Sequence, residues 1–177
     1  MSRTTAKIIR NNTIVRDNWL VLRPEKEVAP ERVAVPKGKV VVPLGVWKAQ
    51  RQILHKRSDI GVWLASDERP EELKNDLGRL KVIAVDFPRF ADGRGYSIAF
   101  LLRDRLGYTG EIRAIGDVLR DQIFYLSRVG FDAFSPRADR SIEEALKGLG
   151  DFSVRYQASW DEKLPLFRRV QRKGETA

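Results

Sequence analysis

The chain has 177 residues, 42% hydrophobic and 32% charged, a composition typical of a folded protein of one ordinary domain. It contains no cysteine and one histidine, which excludes disulfides, thiolate metal sites, cysteine-ligated iron–sulfur clusters and a catalytic thiol. Its apolar runs are too short to span a membrane, and no hydrophobic signal segment follows the start. A cytoplasmic location is therefore expected.

The net charge of +9 is concentrated at the two ends of the chain. Residues 1–38 and residues 163–177 each carry a net charge of +4, whereas residues 39–162 carry +1. A nucleic-acid-binding domain usually carries its positive charge as a patch on the folded body. Nucleic-acid binding is therefore the least favoured of the functions considered below.

The N-terminal region predicts a β-hairpin followed by a linker. Residues 7–9 and 13–15 flank the turn-forming pair Asn11-Asn12, and residues 19–22 are a candidate for another strand. Residues 23–39 contain three prolines and many charges, which indicates a linker. The expected organisation is a hairpin and linker over 1–38, an α/β domain over 39–158 and a basic tail over 159–177.

From residue 39 onward, short apolar segments alternate with segments of helical character. The predicted strands are residues 39–44, 60–64, 82–87, 111–115, 132–135 and 152–157, and the predicted helices are residues 46–57, 70–80, 96–106, 119–129 and 141–149. This alternation predicts a mostly parallel sheet of about six strands built from βα units. Because the strands are apolar runs, we expect an open sheet covered on both faces. A partial TIM-like barrel is the alternative, since six strands are two short of closure.

Polar residues at the carboxyl ends of the strands are the candidates for chemistry, because parallel sheets bind ligands there. Asp86 and Asp117 are candidate catalytic carboxylates, with pairing to an arginine and helix capping as the respective structural alternatives. A loop with two glycines follows the third predicted strand and leads into a helix, an arrangement that favours an anion. The candidate anion-binding residues are Arg89, Asp92, Gly93, Arg94, Gly95, Ser97, Arg113, Arg120, Asp121 and Gln122. The loop matches no phosphate motif, so a tight structural turn is the alternative.

The basic residues of the central region are of one type. All nine basic residues between positions 86 and 140 are arginines, and eight acidic residues accompany them. The planar guanidinium suits bidentate pairing with carboxylates or with an oxyanion. This composition therefore indicates either an oxyanion site or a network of ion pairs within the protein or at an interface.

Three motifs carry a family resemblance. They are IAVDFPRFADGRGYS at residues 83–97, GEIRAIGDVLRDQ at 110–122 and GFDAF at 130–134. The chain resembles a bacterial family of unknown function whose members are commonly described as probable oxidoreductases involved in sulfite reduction. The resemblance implies a role in sulfate assimilation and cysteine biosynthesis, beside the sirohaem-containing reductase.

The residues themselves favour an accessory role over direct electron transfer. The chain has no cysteine, no dinucleotide-binding fingerprint and no haem-ligand pattern. We therefore predict no metal and no bound cofactor, with a flavin left open. The predicted partner is the sulfite reductase haemoprotein or its electron donor, with the basic ends steering association. The alternative is a small enzyme or binder acting on a sulfur oxyanion or on a phosphorylated or sulfated metabolite.

Overall fold

A computed structural model describes residues 6–169, which form one mixed sheet of eight strands and six short α-helices. The strands are β1 (Lys7–Arg10), β2 (Thr13–Arg16), β3 (Leu20–Val21), β4 (Val40–Pro43), β5 (Ile60–Leu64), β6 (Val82–Phe87), β7 (Glu111–Gly116) and β8 (Ala133–Phe134). The α-helices are α1 (Leu44–Ala49), α2 (Arg51–Leu54), α3 (Arg94–Phe100), α4 (Arg120–Arg128), α5 (Ile142–Lys147) and α6 (Leu166–Arg169). A π-helical turn continues α3, and 3₁₀ turns lie at Pro30–Arg32, Pro70–Leu73 and Gly148–Gly150.

The strand order is β2-β1-β8-β7-β6-β5-β4-β3. Strands β3 to β8 are parallel and stand side by side in chain order, and the hairpin β1–β2 adds to β8 in antiparallel fashion. When every crossover advances in one direction and is right-handed, all connecting helices pack on one face of the sheet. The sheet consequently curls into a half-barrel. The predicted α/β class and N-terminal hairpin are confirmed. The expectation of an open sheet of about six strands covered on both faces was wrong in strand number and curvature, and the partial-barrel alternative describes the curl better.

The two edges of the curled sheet come close together at one point. Strand β2 lies at one edge and β3 at the other, yet only residues 17–19 join them in the chain. Four residue steps of extended chain reach at most about 14 Å. The short connection therefore requires the sheet to bend back on itself.

The two faces of the sheet carry different cores. The helices cover a large apolar cluster on the convex face, which includes Val62, Val85 and Phe134. The concave face holds a small cluster of Val41, Val82, Ala84 and Ile115, with Trp19, Val21 and Trp63 packed against it. Strands of a curled sheet are apolar on both faces because side chains also fill the inside. This explains why continuous apolar runs predicted a sheet covered by helices on both sides.

Most predicted strands are confirmed, and the exceptions have physical reasons. Strands β4 to β8 match the first five predicted strands, and the hairpin turns at Asn11 and Asn12 with φ of 48° and 60°, a conformation that Asn tolerates. The predicted strand over 152–157 was wrong, because that segment is irregular and its side chains are largely exposed. The two residues of β3 provide the sixth parallel strand instead.

The predicted helices are present in part. The helix expected over 70–80 is a 3₁₀ turn followed by irregular turns, and the helix expected over 46–57 divides into α1 and α2. Ser141 caps α5, because its hydroxyl accepts a hydrogen bond of 3.1 Å from the Glu144 N–H. The longest α-helix has nine residues, and no helix in residues 6–169 has the length and apolarity that crossing a lipid bilayer requires.

Candidate functional site

The loop between β6 and α3 is shaped by close packing around Phe87. A Cβ atom on Gly95 would lie 2.5 Å from the Phe87 ring, and that ring is fully buried. Gly116 adopts a φ of +92°, and a Cβ there would lie 2.4 Å from the Phe87 carbonyl oxygen. Gly93, by contrast, faces open space. Gly95 is therefore a packing residue, which accounts for one of the two loop glycines without a ligand.

Arg94 at the start of α3 is bonded to a carboxylate of its own loop. Its Nε and Nη2 donate to Asp92 at 3.0 and 2.7 Å, and the Ser66 hydroxyl donates to the same carboxylate at 2.7 Å. The hydrogen bonds from Arg94 and then from Ser66 hold the pKa of Asp92 well below its usual range. The positive charge of Arg94 is therefore already compensated.

Asp117 ties two loops together. Its carboxylate accepts hydrogen bonds of 2.9 Å from the Phe90 N–H and 3.1 Å from Arg137. Arg137 also binds Asp139 through two bonds of 2.9 and 2.6 Å, which lower the pKa of Asp139 to about 2. The expected capping of α4 by Asp117 is not observed, because the residue that precedes α4 is Leu119.

The remaining candidates on α4 have structural or surface positions. Gln122 is buried; its side-chain oxygen accepts from the Leu119 N–H at 2.9 Å, and its amide donates to the Phe90 carbonyl at 3.1 Å. Arg120 donates to Asp151 at 2.6 Å. Asp121 is exposed and has no side-chain hydrogen bond or ion pair within residues 6–169. Gln122 thus fixes the β6–α3 loop through its hydrogen bond to the Phe90 carbonyl.

Arg89 and Ser97 are both exposed on this side of the molecule. Arg89 has no ion pair with another residue of the described range. Ser97 lines a surface cavity of about 690 Å³ together with Ser66 and Arg94, over an apolar floor that includes Ile98. Arg94 and Ser97 are the two predicted anion-binding residues that line this cavity, and the acidic residues Asp67, Glu68 and Glu71 line it as well. Arg120 and Asp121 line a separate cavity of about 480 Å³.

Asp86 lies at the end of β6, one residue before Phe87 and on the opposite face of the sheet. Its carboxylate accepts a hydrogen bond of 2.5 Å from Arg23, whose guanidinium stands 5.3 Å from the centre of the Trp63 ring. Trp63 in turn donates to the Leu22 carbonyl at 2.9 Å. No local pattern in the sequence points to Arg23, because it lies in the predicted linker, 63 residues from its partner.

Arg113 is separate from the loop residues and lies on the concave face of β7, fully buried. Its Nε and Nη2 donate to Glu111 at 2.8 and 2.7 Å, and its Nη1 donates to both carboxylate oxygens of Asp17 at 3.0 and 2.9 Å. Asp17 belongs to the short connection between β2 and β3. Arg113 therefore joins that connection to the centre of the sheet. The sequence alone does not predict this pair, because Asp17 lies 96 residues from Arg113 in the chain.

Residues 151–169, which we call the C-terminal strap, cover the predicted strand over 152–157 and the described part of the predicted basic tail over 159–177. The strap contains the short helix α6 but is otherwise irregular, and it leaves several large apolar side chains exposed. These side chains are Phe152, Val154, Tyr156, Trp160, Leu164 and Phe167.

Residues 6–169 contain no group of three or more His, Cys, Asp or Glu side chains placed to hold a metal ion.

Comparison with known proteins gives one family. A search of the curated proteins returned no match to this chain. The model of a family described as "Bacterial protein of unknown function (DUF934)" matches residues 61–167. This range contains strands β5 to β8, the loop after β6 and most of the C-terminal strap. Because the match covers more than half of the chain, the protein belongs to this bacterial family of unknown function.

Proposed function

We propose that the protein is an accessory component of assimilatory sulfite reduction that docks on the sulfite reductase haemoprotein or on its electron donor. The pathway is what the sequence resemblance implies, and the accessory role has its support in the ion pairs at the strand ends. Arg94, Arg120 and Arg137 each hold a carboxylate of this chain. An oxyanion that bound to any one of these guanidinium groups would compete with the carboxylate already bonded to it.

The candidate catalytic carboxylates support the same view. Asp86 is bonded to Arg23, and Asp117 is bonded to Arg137 and to a backbone N–H. A general base has to be within reach of the proton that it removes, and these carboxylates are occupied by donors of the protein itself. Such internally satisfied networks rigidify a protein, which suits a docking component.

The proposal is tested with the purified full-length protein and a deletion strain. We expect the protein to form a stoichiometric complex with the reductase haemoprotein or with its electron donor. We also expect deletion to slow growth on sulfate and not on cysteine. No complex with either protein, together with unchanged sulfite reduction in the deletion strain, would contradict the proposal.

The second candidate function is binding of a sulfur oxyanion or of a phosphorylated or sulfated metabolite, in the cavity that Arg94 and Ser97 line beside the acidic residues Asp67, Glu68 and Glu71. The cavity volume of about 690 Å³ falls within the range of small-molecule sites. The test is thermal stabilisation by sulfite, sulfate or nucleotides, with Arg94→Ala as the variant that abolishes it. Unchanged melting of the wild type with every ligand would rule this function out, and a bound flavin would show as yellow colour.

A further inference from the structure

We infer that the C-terminal strap is the surface that docks, and that its occupant is an acidic protein surface. The inference rests on the proposed function for the identity of the partner, the reductase haemoprotein or its electron donor. The position, exposed side chains and charge of the strap are independent of that identity.

The strap is fixed on the body by polar contacts. Asp161 accepts from Arg128 at 3.4 Å and also from Arg155. Arg128 donates to the Gln157 carbonyl at 2.5 Å, and the Ser159 hydroxyl donates to the Arg128 carbonyl at 2.9 Å. These bonds hold the backbone of an irregular segment in place. A surface that is already held in one conformation loses less conformational entropy when it binds a partner.

The strap concentrates the exposed apolar surface of the protein. Six of the eleven large hydrophobic side chains that residues 6–169 leave exposed belong to it, and Tyr125 of α4 lies beside it. The Phe152 ring stands 6.0 Å from the exposed Tyr125 ring. A hydrogen bond of 2.9 Å from the Leu166 N–H to the Tyr156 carbonyl brings the stretches that carry Tyr156 and Phe167 together. Exposed apolar residues scattered singly are ordinary, whereas a contiguous patch marks an interaction surface.

The strap carries four basic and three acidic residues, and its most exposed ion-paired side chains are basic. The Arg155 side chain is 41% exposed and its partner Asp161 is 15% exposed. Lys163 is likewise 61% exposed against 39% for Asp104. Arg168 stands over the Phe167 ring and has no carboxylate partner within residues 6–169. Aromatic and arginine side chains at the centre with charge at the rim are typical of protein interfaces, and positive charge selects an acidic partner.

Single-stranded nucleic acid is the other class of ligand that aromatic and basic side chains bind. Carboxylates are interleaved with the basic residues of the strap, namely Asp151, Asp161 and Glu162, and each forms an ion pair there. Phosphates laid along this segment would meet those negative charges. A protein surface pairs with both signs, and this favours a protein partner.

The test compares three full-length proteins for binding to the purified reductase haemoprotein and to its purified electron donor. They are the wild type, the triple variant Phe152→Ser/Tyr156→Ser/Phe167→Ser, and the control Ile53→Ser, which removes an exposed apolar side chain of α2. We expect the triple variant to bind at least about tenfold more weakly and the control to bind like the wild type. Arg168→Glu, which breaks no ion pair within residues 6–169, should weaken binding most at low salt and provides a second measurement if the triple variant misfolds.

The outcomes separate the two proposals. Binding of the wild type that neither the triple variant nor Arg168→Glu weakens would overturn the docking surface and leave the proposed function standing. Failure of the wild type to bind either protein would overturn the proposed function, and the docking surface with it. Strap-dependent binding of a single-stranded oligonucleotide, or strap-dependent dimerisation in sedimentation, would overturn the choice of an acidic protein as the occupant.

Discussion

Replacing the buried Arg113 by methionine is expected to destabilise the protein strongly. The guanidinium is the shared partner of Asp17 and Glu111, whose side chains are only 9% and 13% exposed. Removing it leaves Asp17 without its cationic partner and leaves Glu111 with the Arg10 guanidinium at 3.6 Å, and both carboxylates have little access to water. Breaking a buried pair in this way costs about 3–5 kcal/mol, a large part of the roughly 5–15 kcal/mol that stabilises a typical domain. For a protein of this size, the melting temperature should fall by roughly 6–20 °C.

Urea unfolding followed by tryptophan fluorescence measures this loss, because Trp19 and Trp63 pack on the concave face. The matched control is Arg94→Ala, which breaks an ion pair whose arginine is 60% exposed and should cost much less stability than Arg113→Met, because exposed ion pairs contribute little. If Arg113→Met costs no more than this control, Arg113 does not fasten the β2–β3 connection to the sheet.

A combined variant distinguishes the charge effect from a packing effect. Adding Asp17→Asn and Glu111→Gln to Arg113→Met removes the two carboxylate charges that have lost the Arg113 guanidinium. Part of the lost stability should therefore return. If the free energy of unfolding of this triple variant is no higher than that of Arg113→Met, the lost volume of the Arg113 side chain causes the destabilisation, and the two carboxylate charges do not.

Two further predictions concern the β6–α3 loop. Gly95→Ala should lower the free energy of unfolding by about 1–3 kcal/mol, because its methyl group would overlap the buried Phe87 ring, whereas Gly93→Ala should change it by less than about 1 kcal/mol in the same denaturation assay. The lowered pKa of Asp92 contributes stability that is present above pH 3.8 and is lost as the pH falls below it; Asp92→Asn should flatten the dependence of melting temperature on pH in that acid range, and an unchanged slope would contradict this.

The sequence predicted the central strands well because their pattern is local. Strands β5 and β6 are apolar runs bounded by polar turns, and both appear with the expected bounds. The alternation of Phe152, Val154 and Tyr156 also has the period of a strand. That alternation faces solvent in the structure, since no neighbouring strand is there to pair with it. The existence of a pairing partner is a non-local fact, and so is the curl that the two-residue strand β3 completes.

The sequence predicted which residue types the candidate site contains, but not which arginine pairs with which carboxylate. An arginine-only, acid-matched central region indicates ion pairs, and residues 6–169 contain many of them. The two pairs that fix the concave face nevertheless draw on partners outside that region, Arg23 for Asp86 and Asp17 for Arg113. Only the folded sheet brings the N-terminal segment against the centre of the chain.

The exposed side chains at the strand ends and on the C-terminal strap indicate which of these two surfaces binds a partner or ligand. At the strand ends, where parallel sheets bind ligands, Arg94 and Arg137 are bonded to carboxylates of the same chain. On the C-terminal strap the more exposed members of two ion pairs are the basic ones, Arg155 and Lys163. The basic side chain is the more exposed partner at both places, and the strap is distinguished by its exposed aromatic side chains. The strap variants therefore test the more accessible of the two surfaces.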